Sequence, residues 1–281
     1  MKLLRHGPAG SEKPGVLDAD GVIRDLSAHI DDVNGAALTD AAIDKLRGLD
    51  LTALPEIAAG TRLGACVANV GKFICVGLNY SDHAAESGLE LPPEPVLFFK
   101  ATSCIVGPND SIQIPKGSEA TDWEVELAIV IGKDTKYVAE ADAMNHIAGF
   151  CVVNDVSERD FQNKRSGQWV KGKSADTFGP IGPWMVTRDE VADPQALAMH
   201  LEVNGDSMQN GSTSTMVYKV PFLVSYISQF MSLQPGDVIS TGTPPGVGMG
   251  MKPPRYLKAG DVVTLGIDGL GEQRQDVIAY S

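Results

Sequence analysis

Short apolar runs recur along this chain, each bounded by glycine, proline or polar turn residues. From residue 70 onward the runs cover residues 72–77, 96–100, 112–115, 124–131, 150–156, 201–205, 237–242 and 261–271. Such runs with turn residues between them are typical of β-strands. Three segments instead favour helices, residues 82–88, 157–165 and 221–231. Because strands and helices do not alternate strictly, the pattern predicts a mixed β (α+β) fold rather than a parallel α/β sheet.

The first 70 residues show a different pattern. Two strand-like pieces, residues 15–18 and 21–26, are joined by Ala19-Asp20 in the manner of a β-hairpin. Residues 38–54 are rich in Ala, Leu and Asp, have helical spacing and stop before Pro55. No candidate catalytic group stands out in this part of the chain. We therefore expect a small N-terminal α+β domain over residues 1–70 and a catalytic domain over residues 71–281.

Composition narrows the class of protein. Of the 281 residues 43% are hydrophobic and 21% are charged, which is ordinary for a soluble globular protein, and no apolar run approaches the length of a membrane span. A net charge of −13 disfavours phosphate backbones, so neither nucleic acid nor membrane is an expected partner. The first residues lack the apolar core of a secretory signal, which predicts a cytoplasmic location. The four cysteines have no C-x-x-C spacing, which predicts neither a disulfide nor a zinc site.

Two glutamates open a predicted buried strand. Glu124 and Glu126 are two apart, so on a strand their side chains share one face. Burying such like charges costs on the order of several kcal/mol each, and no cation lies between Lys116 and Lys133 to offset them. Asp155 ends another apolar run and can reach the same place from a neighbouring strand. Three carboxylates would then hold one hard ion, Mg²⁺, Mn²⁺ or Ca²⁺. The alternative is an edge strand with solvated glutamates.

Further candidates follow other strands. His83 and Glu86 are three apart on a predicted helix, and either act as an acid–base pair or lie together by chance on a surface helix. A cationic segment with Arg159, Gln162 and Lys173 either holds an anionic substrate or is a solvated loop. Residues 240–248, dense in glycine, proline and hydroxyl groups, either grip a carboxylate or form a rigid turn.

Six motifs in this order carry a resemblance to a known family. They are G-L-N-Y-S-D-H-A-x-E, F-F-K, D-W-E-V-E-L-A-x-V-I-G, N-D-V-S-E-R-D-x-Q, G-K-S-x-D-x-F-x-P-x-G-P-W and S-T-G-T-P-x-G-V-G. Over residues 70–281 the chain thereby resembles the fumarylacetoacetate hydrolase family. The resemblance implies a β-roll fold, a homodimer and a site for Mg²⁺ or Mn²⁺, with Ca²⁺ also acceptable to carboxylate ligands.

The resemblance also implies roles for individual residues. It makes Glu124, Glu126 and Asp155 the metal ligands, and it gives Asp122 a supporting position beside them. The expected catalytic residues are His83 and Glu86, which would activate a water, and Lys173, which would stabilise an enolate or oxyanion. The residues expected to contact substrate are Arg159, Gln162, Thr243 and Lys100.

Members of this family hydrolyse 2,4-diketo acids, decarboxylate or tautomerise oxaloacetate, hydrate 2-oxo-pentenoates or isomerise intermediates of aromatic catabolism. All act on a small 2-oxo acid. The residues His83, Glu86 and Lys173, together with the leading domain, make the chain most similar to bacterial hydrolases of 2,4-diketo-3-deoxy sugar acids of the rhamnonate or fuconate type, often named ureidoglycolate lyase. The resemblance thus implies hydrolysis to pyruvate and a hydroxy acid such as lactate. A non-catalytic, ligand-binding member would be expected to lack one of these three residues.

Overall fold

The computed structural model describes residues 1–82 and 91–280, and it has the mixed α+β architecture that the apolar pattern predicts. Strands outnumber helices among the described residues, and the few helices between them are short. His83 and Glu86, and with them most of the helix predicted over residues 82–88, lie outside the described residues.

A ten-stranded mixed sheet forms the centre of the molecule. Nine of its strands follow one another in the order β3 (Ile23–Asp25), β2 (Lys13–Leu17), β1 (Lys2–His6), β12 (Gly179–Thr187), β10 (Ile147–Asn154), β9 (Val125–Ile131), β15 (Val238–Ser240), β4 (Phe73–Gly77) and β5 (Val96–Lys100). The tenth, β6 (Ile105–Val106), pairs with β12. Strand β12 is a long strand that the sequence pattern did not predict.

A five-stranded sheet packs against this centre. Its order is β14 (Asp206–Ser212), β13 (Ala198–Val203), β16 (Val262–Ile267), β17 (Gly271–Ile278) and β7 (Ile112–Gln113). A third, two-stranded sheet pairs β8 (Thr121–Asp122) with β11 (Ser157–Glu158). The predicted run over residues 261–271 is in fact β16, a turn and the start of β17, because Gly269 takes a left-handed φ of 76° that reverses the chain.

Helices are few and short among the described residues. The α-helices are α1 (Asp40–Arg47), α2 (Arg159–Asn163), α3 (Val170–Lys173) and α4 (Val220–Phe230). Single 3₁₀ turns occur at Leu51–Ala53, Thr102–Cys104, Arg188–Glu190, Thr213–Thr215 and Gly248–Gly250, and a longer 3₁₀ segment covers Glu140–His146. The helix predicted over residues 38–54 is wrong in length: Thr39 caps it, but Gly48 ends it, and only a 3₁₀ turn follows.

The N-terminal hairpin belongs to the large sheet. The predicted hairpin is confirmed, since β2 pairs antiparallel with β3. Strand β1 continues the pairing into β12, with Lys2 opposite Val186 and Leu3 opposite Met185. The proposed boundary near residue 70 between a small leading domain and a catalytic domain stays a prediction.

Strands β9 and β10 form the buried core, and they position the site. Every residue of both strands is buried, which explains why they are continuous apolar runs rather than alternating ones. Their antiparallel register sets Val153 opposite Glu126. Asp155, just past the end of β10, donates its backbone N–H to the carbonyl of Glu124 at 2.9 Å. Two neighbouring strands therefore deliver three carboxylates to one end of the sheet.

None of the helices formed by residues 1–82 and 91–280 has the length and apolar character needed to cross a bilayer.

Candidate active site

A cavity of about 210 Å³ opens where β4, β9 and β10 end. Its charged wall consists of Glu124, Glu126, Asp155, Arg159 and Lys173. Its remaining described lining is neutral and consists of Val76, Gly77, Leu78, Phe98, Gln162, Asn163, Trp169, Gly242, Thr243 and Met249. The structure therefore brings most of the predicted site residues to one place.

The three predicted metal ligands meet at the floor of this cavity. Glu124, Glu126 and Asp155 are all buried, and each offers a carboxylate oxygen such that these atoms lie within 4.8 Å of one another. Among described residues this is the group of acidic, histidine or cysteine side chains whose geometry suits a metal ion. Buried carboxylates at this separation repel one another strongly unless a cation intervenes.

Cations from three other segments reach these carboxylates. Lys173 Nζ lies 2.7 Å from both Glu124 Oε2 and Asp155 Oδ2. Lys100 Nζ lies 2.5 Å from Asp155 Oδ1 and donates to the carbonyl of Val156 at 3.0 Å. The sequence argument considered only cations near the glutamates along the chain, so it missed this compensation. The sheet brings together residues that are far apart in sequence.

Arg159 joins the charged wall to a supporting carboxylate. Its Nη2 lies 2.7 Å from Glu124 Oε1, and its Nε lies 2.8 Å from Asp122 Oδ2. Asp122 also accepts the backbone N–H groups of Gly248 and Met249, at 2.7 and 3.0 Å. Asp122 therefore fixes both the arginine and the start of the 3₁₀ turn at residues 248–250, and it does not face the cavity as a ligand would.

Glu126 is the carboxylate of the three that has no ion pair among described residues. Its Oε2 accepts from Ser240 Oγ at 2.5 Å and from the backbone N–H of Gly242 at 3.0 Å. Burial, followed by the like charges of Asp155 and Glu124, raises the pKa of Glu126 to about 8. Glu126 is therefore the buried carboxylate of the site that no described cation contacts.

Glu124 and Lys173 are held in their charged forms. Burial alone would raise the pKa of Glu124, but the positive charges of Arg159 and Lys173 outweigh it and hold that pKa well below its usual range. Burial likewise opposes the charge of Lys173, yet Asp155 and Glu124 raise its pKa above the ordinary value. The charged wall thus consists of ion-paired side chains together with Glu126, which has no ion pair among the described residues.

These residues fit a divalent metal ion. The donor set is all oxygen, which suits Mg²⁺, Mn²⁺ or Ca²⁺ better than zinc. Glu126 is buried beside two like charges and has no ion pair among the described residues, and a divalent ion would supply the missing countercharge. Glu124, Glu126 and Asp155 would hold the ion, with Lys173 beside them.

The residues predicted to contact substrate differ in whether they line the cavity and in whether their polar groups already have protein partners. Gln162 accepts from Arg159 Nη1 at 3.1 Å and lines the cavity. Thr243 lines it too, but its hydroxyl donates to the carbonyl of Val125 at 2.9 Å and accepts from Gln209 Nε2 at 2.8 Å. Lys100 is absent from the described lining and is buried behind Asp155. The substrate-binding roles of Gln162, Thr243 and Lys100 stay predictions. The catalytic roles of His83 and Glu86, which lie outside the described residues, also stay predictions.

Sequence reasoning missed several residues of the site. Trp169 was not among the predicted site residues, yet its ring lies against Gly77, where an added Cβ would come within 2.7 Å of the indole. Gln209, fully buried on β14, clamps Val125 and Thr243 through its side-chain amide. A buried glutamine within a mostly exposed strand has no local signature, because its partners come from β9 and the loop after β15. The sequence therefore gave only a weak indication of the position of Gln209.

Comparison with known proteins agrees with this geometry. The model of the fumarylacetoacetate (FAA) hydrolase C-terminal family matches residues 72–278. A protein of Burkholderia multivorans, provisionally named a hydrolase, is 64% identical over 276 residues, which cover 98% of each chain.

Solved structures are similar over the whole chain. Maleylpyruvate hydrolase of Sphingobium sp. SYK-6, solved with manganese(II) and pyruvate, superimposes with a TM-score of 0.82 at 32% identity, covering 100% of both chains. The 5-carboxymethyl-2-hydroxymuconate delta-isomerase of Mycobacterium smegmatis does so with a TM-score of 0.78 at 34% identity, again over 100% of both chains.

Proposed function

The chain belongs to the fumarylacetoacetate hydrolase family, and from this premise we propose that it hydrolyses a C–C bond of a 2,4-dioxo acid and releases pyruvate with the help of a divalent metal. The observation that carries the proposal is the meeting of three buried carboxylates with Lys173 at the floor of one cavity. The family contains hydrolases and isomerases, so an enzyme is supported on both grounds.

The ion supplies positive charge against which the carboxylate and 2-oxo oxygens of the substrate can bind. A similar protein, the maleylpyruvate hydrolase, was solved with manganese(II) and pyruvate. We propose Mg²⁺ or Mn²⁺ for this chain, because its three ligands are carboxylates and both ions accept oxygen donors.

The reaction adds water across the C3–C4 bond. Water attacks the C4 carbonyl, and its proton passes to a base, for which His83 oriented by Glu86 is the candidate. The C3–C4 bond then breaks, and its electron pair goes to C3, giving the enolate of pyruvate and a second carboxylic acid. The ammonium of Lys173, held in its charged form by Asp155 and Glu124, would stabilise negative charge on the enolate oxygen. Protonation at C3 completes pyruvate.

The substrate we propose first is a 2,4-diketo-3-deoxy sugar acid of the rhamnonate or fuconate type, which would yield pyruvate and lactate. This assignment depends on the motif resemblance rather than on the cavity. A homodimer is proposed on the same resemblance.

A second candidate is isomerisation of a 2-oxo acid. It is favoured by the similarity to the Mycobacterium smegmatis isomerase. An isomerase forms the same enolate, but by removing a proton instead of breaking a C–C bond, so the carboxylates and Lys173 would serve either reaction. Decarboxylation of oxaloacetate also passes through an enolate and needs no attacking water.

The deciding experiment measures pyruvate release from a panel of 2,4-dioxo acids and oxaloacetate, with Mn²⁺ or with chelator. We expect metal-dependent release from a 2,4-dioxo acid, and a loss of about 10²-fold or more in Glu124→Gln. The matched control is Glu119→Gln, which changes an exposed glutamate outside the cavity. Release from oxaloacetate alone would assign a decarboxylase, and ultraviolet spectral change without pyruvate would assign an isomerase.

A further inference from the structure

We infer that the substrate of this site carries a single carboxylate, at its 2-oxo end, and that its other end is uncharged. The inference rests on the proposed function and specifies it further, since it names what the part of the substrate beyond C4 must be. It follows from a division of the cavity into a charged inner wall and a neutral outer wall.

The cations of the inner wall already bind carboxylates of the protein. Each guanidinium nitrogen of Arg159 donates one hydrogen bond, to Asp122, Glu124 and Gln162, which uses three of its five N–H groups. The ammonium of Lys173 contacts Glu124 and Asp155. Both cations lie at the end of the cavity where the 2-oxo acid would bind, so neither is available to a second carboxylate several carbons away.

The outer wall offers a distal group no charge. The lining residues that are partly or well exposed, and so lie toward solvent, are Gly77, Leu78, Phe98, Asn163, Trp169 and Met249. Four of them have apolar side chains, Gly77 has none, and Asn163 is a neutral amide. Phe98 and Trp169 pack edge to face with ring centroids 5.2 Å apart, which presents an aromatic surface to the cavity.

Nearby cations have other contacts and do not line the cavity. Lys164 pairs with Asp160 at 2.7 Å, and the Arg165 guanidinium lies 5.0 Å from the centre of the Phe161 ring. Lys171 donates to the carbonyl of Arg165 at 2.8 Å. Among the residues that the structure describes, these three cations are therefore engaged outside the cavity lining.

A second carboxylate would be disfavoured on two grounds. It would lose hydration against an apolar wall without gaining a partner. It would also approach a protein whose net charge is −13, so long-range repulsion acts against a dianion more than against a monoanion. A neutral alkyl or hydroxyalkyl end meets neither obstacle, and the tail of a deoxy sugar acid belongs to that class.

The test uses a pair of compounds that differ only at the far end, 2,4-dioxoheptanoate and 2,4-dioxoheptanedioate. Calorimetric binding in the presence of Mn²⁺ decides the inference, and pyruvate release decides the proposed function. We expect the monoacid to bind at least about tenfold more tightly than the diacid and, if cleaved, to have the higher kcat/KM. Equal or tighter binding of the diacid would overturn the inference even if pyruvate were released. Preferential binding of the monoacid without pyruvate release would overturn only the proposed function.

A charge placed at the mouth sharpens the test. Met249→Lys keeps a side chain of similar length and adds a cation beside the cavity, so the binding ratio should shift about tenfold toward the diacid. Met249→Gln tests the same position without charge, and Ile278→Lys adds the same charge on a distant strand, at an exposed position. Neither control should reproduce the shift, and a shift in Ile278→Lys equal to that in Met249→Lys would show that net charge alone sets the preference.

Discussion

Two clusters of charged side chains in this molecule differ in how their carboxylates are paired with cations. The inner cluster consists of Glu124, Glu126, Asp155, Lys100, Arg159 and Lys173, all buried. The surface cluster consists of Arg5, Glu12, Asp32, Arg62 and Asp110, and connects the N-terminal strands with the turn at residues 107–110.

In the surface cluster the arginines meet carboxylates in pairs of parallel bonds. Arg5 Nε and Nη2 lie 2.7 and 3.0 Å from the two oxygens of Asp32. Arg62 makes the same forked contact with Asp110, at 2.8 and 2.5 Å, and also reaches Glu12 at 2.9 Å. Such bidentate pairs satisfy both partners. The surface cluster is complete in itself and serves to join segments.

The inner cluster is incomplete by the same standard. Its cations contact Glu124 and Asp155, while the described partners of Glu126 are a hydroxyl and a backbone N–H. Burying a carboxylate without an ion pair is costly, so its retention indicates a ligand that completes the pairing. The difference teaches that a candidate functional cluster is recognised by a buried carboxylate left without a cation rather than by its number of ion pairs.

The largest effect should come from removing a carboxylate of the inner cluster. Asp155→Asn leaves Lys100 and Lys173 without their shared partner and removes one metal ligand. We expect pyruvate release to fall by about 10²–10³-fold and manganese affinity to drop. Activity assays and calorimetric titration with Mn²⁺ measure both quantities. Asp110→Asn, in the surface cluster, is the matched control; an equal loss in that variant would erase the distinction between the clusters.

Removing the bridging cation should separate binding from catalysis. Lys173→Met keeps the length of the side chain but leaves Glu124 and Asp155 facing each other with less positive charge nearby. We expect activity to fall about 10²-fold, while the rise in melting temperature on adding Mn²⁺ becomes larger than in the wild type. Thermal denaturation with and without metal tests this. A smaller rise than in the wild type would show that Lys173 helps to hold the ion.

Disrupting the surface cluster should lower the free energy of unfolding and leave kcat/KM unchanged. Arg62→Leu removes the forked pair with Asp110 and the contact with Glu12. Because Arg62 is partly exposed, solvent screens these pairs, and we expect a loss of about 1 kcal/mol in the free energy of unfolding. Urea denaturation measures it, with kcat/KM as the second readout. A change of kcat/KM beyond twofold would mean that the two clusters communicate.

The smallest effect concerns acid stability. Burial raises the pKa of Glu12, but the hydrogen bond and charge of Arg62 outweigh it, and the pKa lies below its ordinary value of 4.5. The unfolded chain therefore binds the proton first as pH falls, so this contribution to stability is present above pH 4.5 and is lost below it. Glu12→Gln should unfold with a shallower dependence on pH below that value. Denaturation midpoints between neutral and acid pH test this, and identical slopes would contradict it.

The sequence was most informative where a single segment carries both the pattern and the chemistry. The apolar runs that became β4, β9 and β10 are continuous because both faces of these strands are buried, and the polar residues at their ends mark the cavity. The fold class and the proximity of Glu124, Glu126 and Asp155 could be predicted for that reason.

The sequence was least informative where partners come from distant segments. Lys100 was a candidate by resemblance, but that it shares Asp155 with Lys173 follows only from the four strand pairings between β5 and β10 and from the position of α3. The aromatic mouth built from Phe98 and Trp169 was missed, because these residues lie on a strand and before a helix with no shared pattern. The partly buried arginines of the surface cluster likewise gave no sequence signal of their forked contacts.

The position of β15 has a consequence for how the protein is made. This strand pairs with β4 on one side and β9 on the other, with Ile239 opposite both Ile74 and Ile129. It is nevertheless encoded in the last fifth of the chain. On the ribosome, β4 and β9 are thus synthesised before the strand that lies between them. Their facing edges can pair only after β15 has been translated. Glu126 acquires Ser240 only when β15 has paired, so completion of the sheet and assembly of the site are one event, late in synthesis.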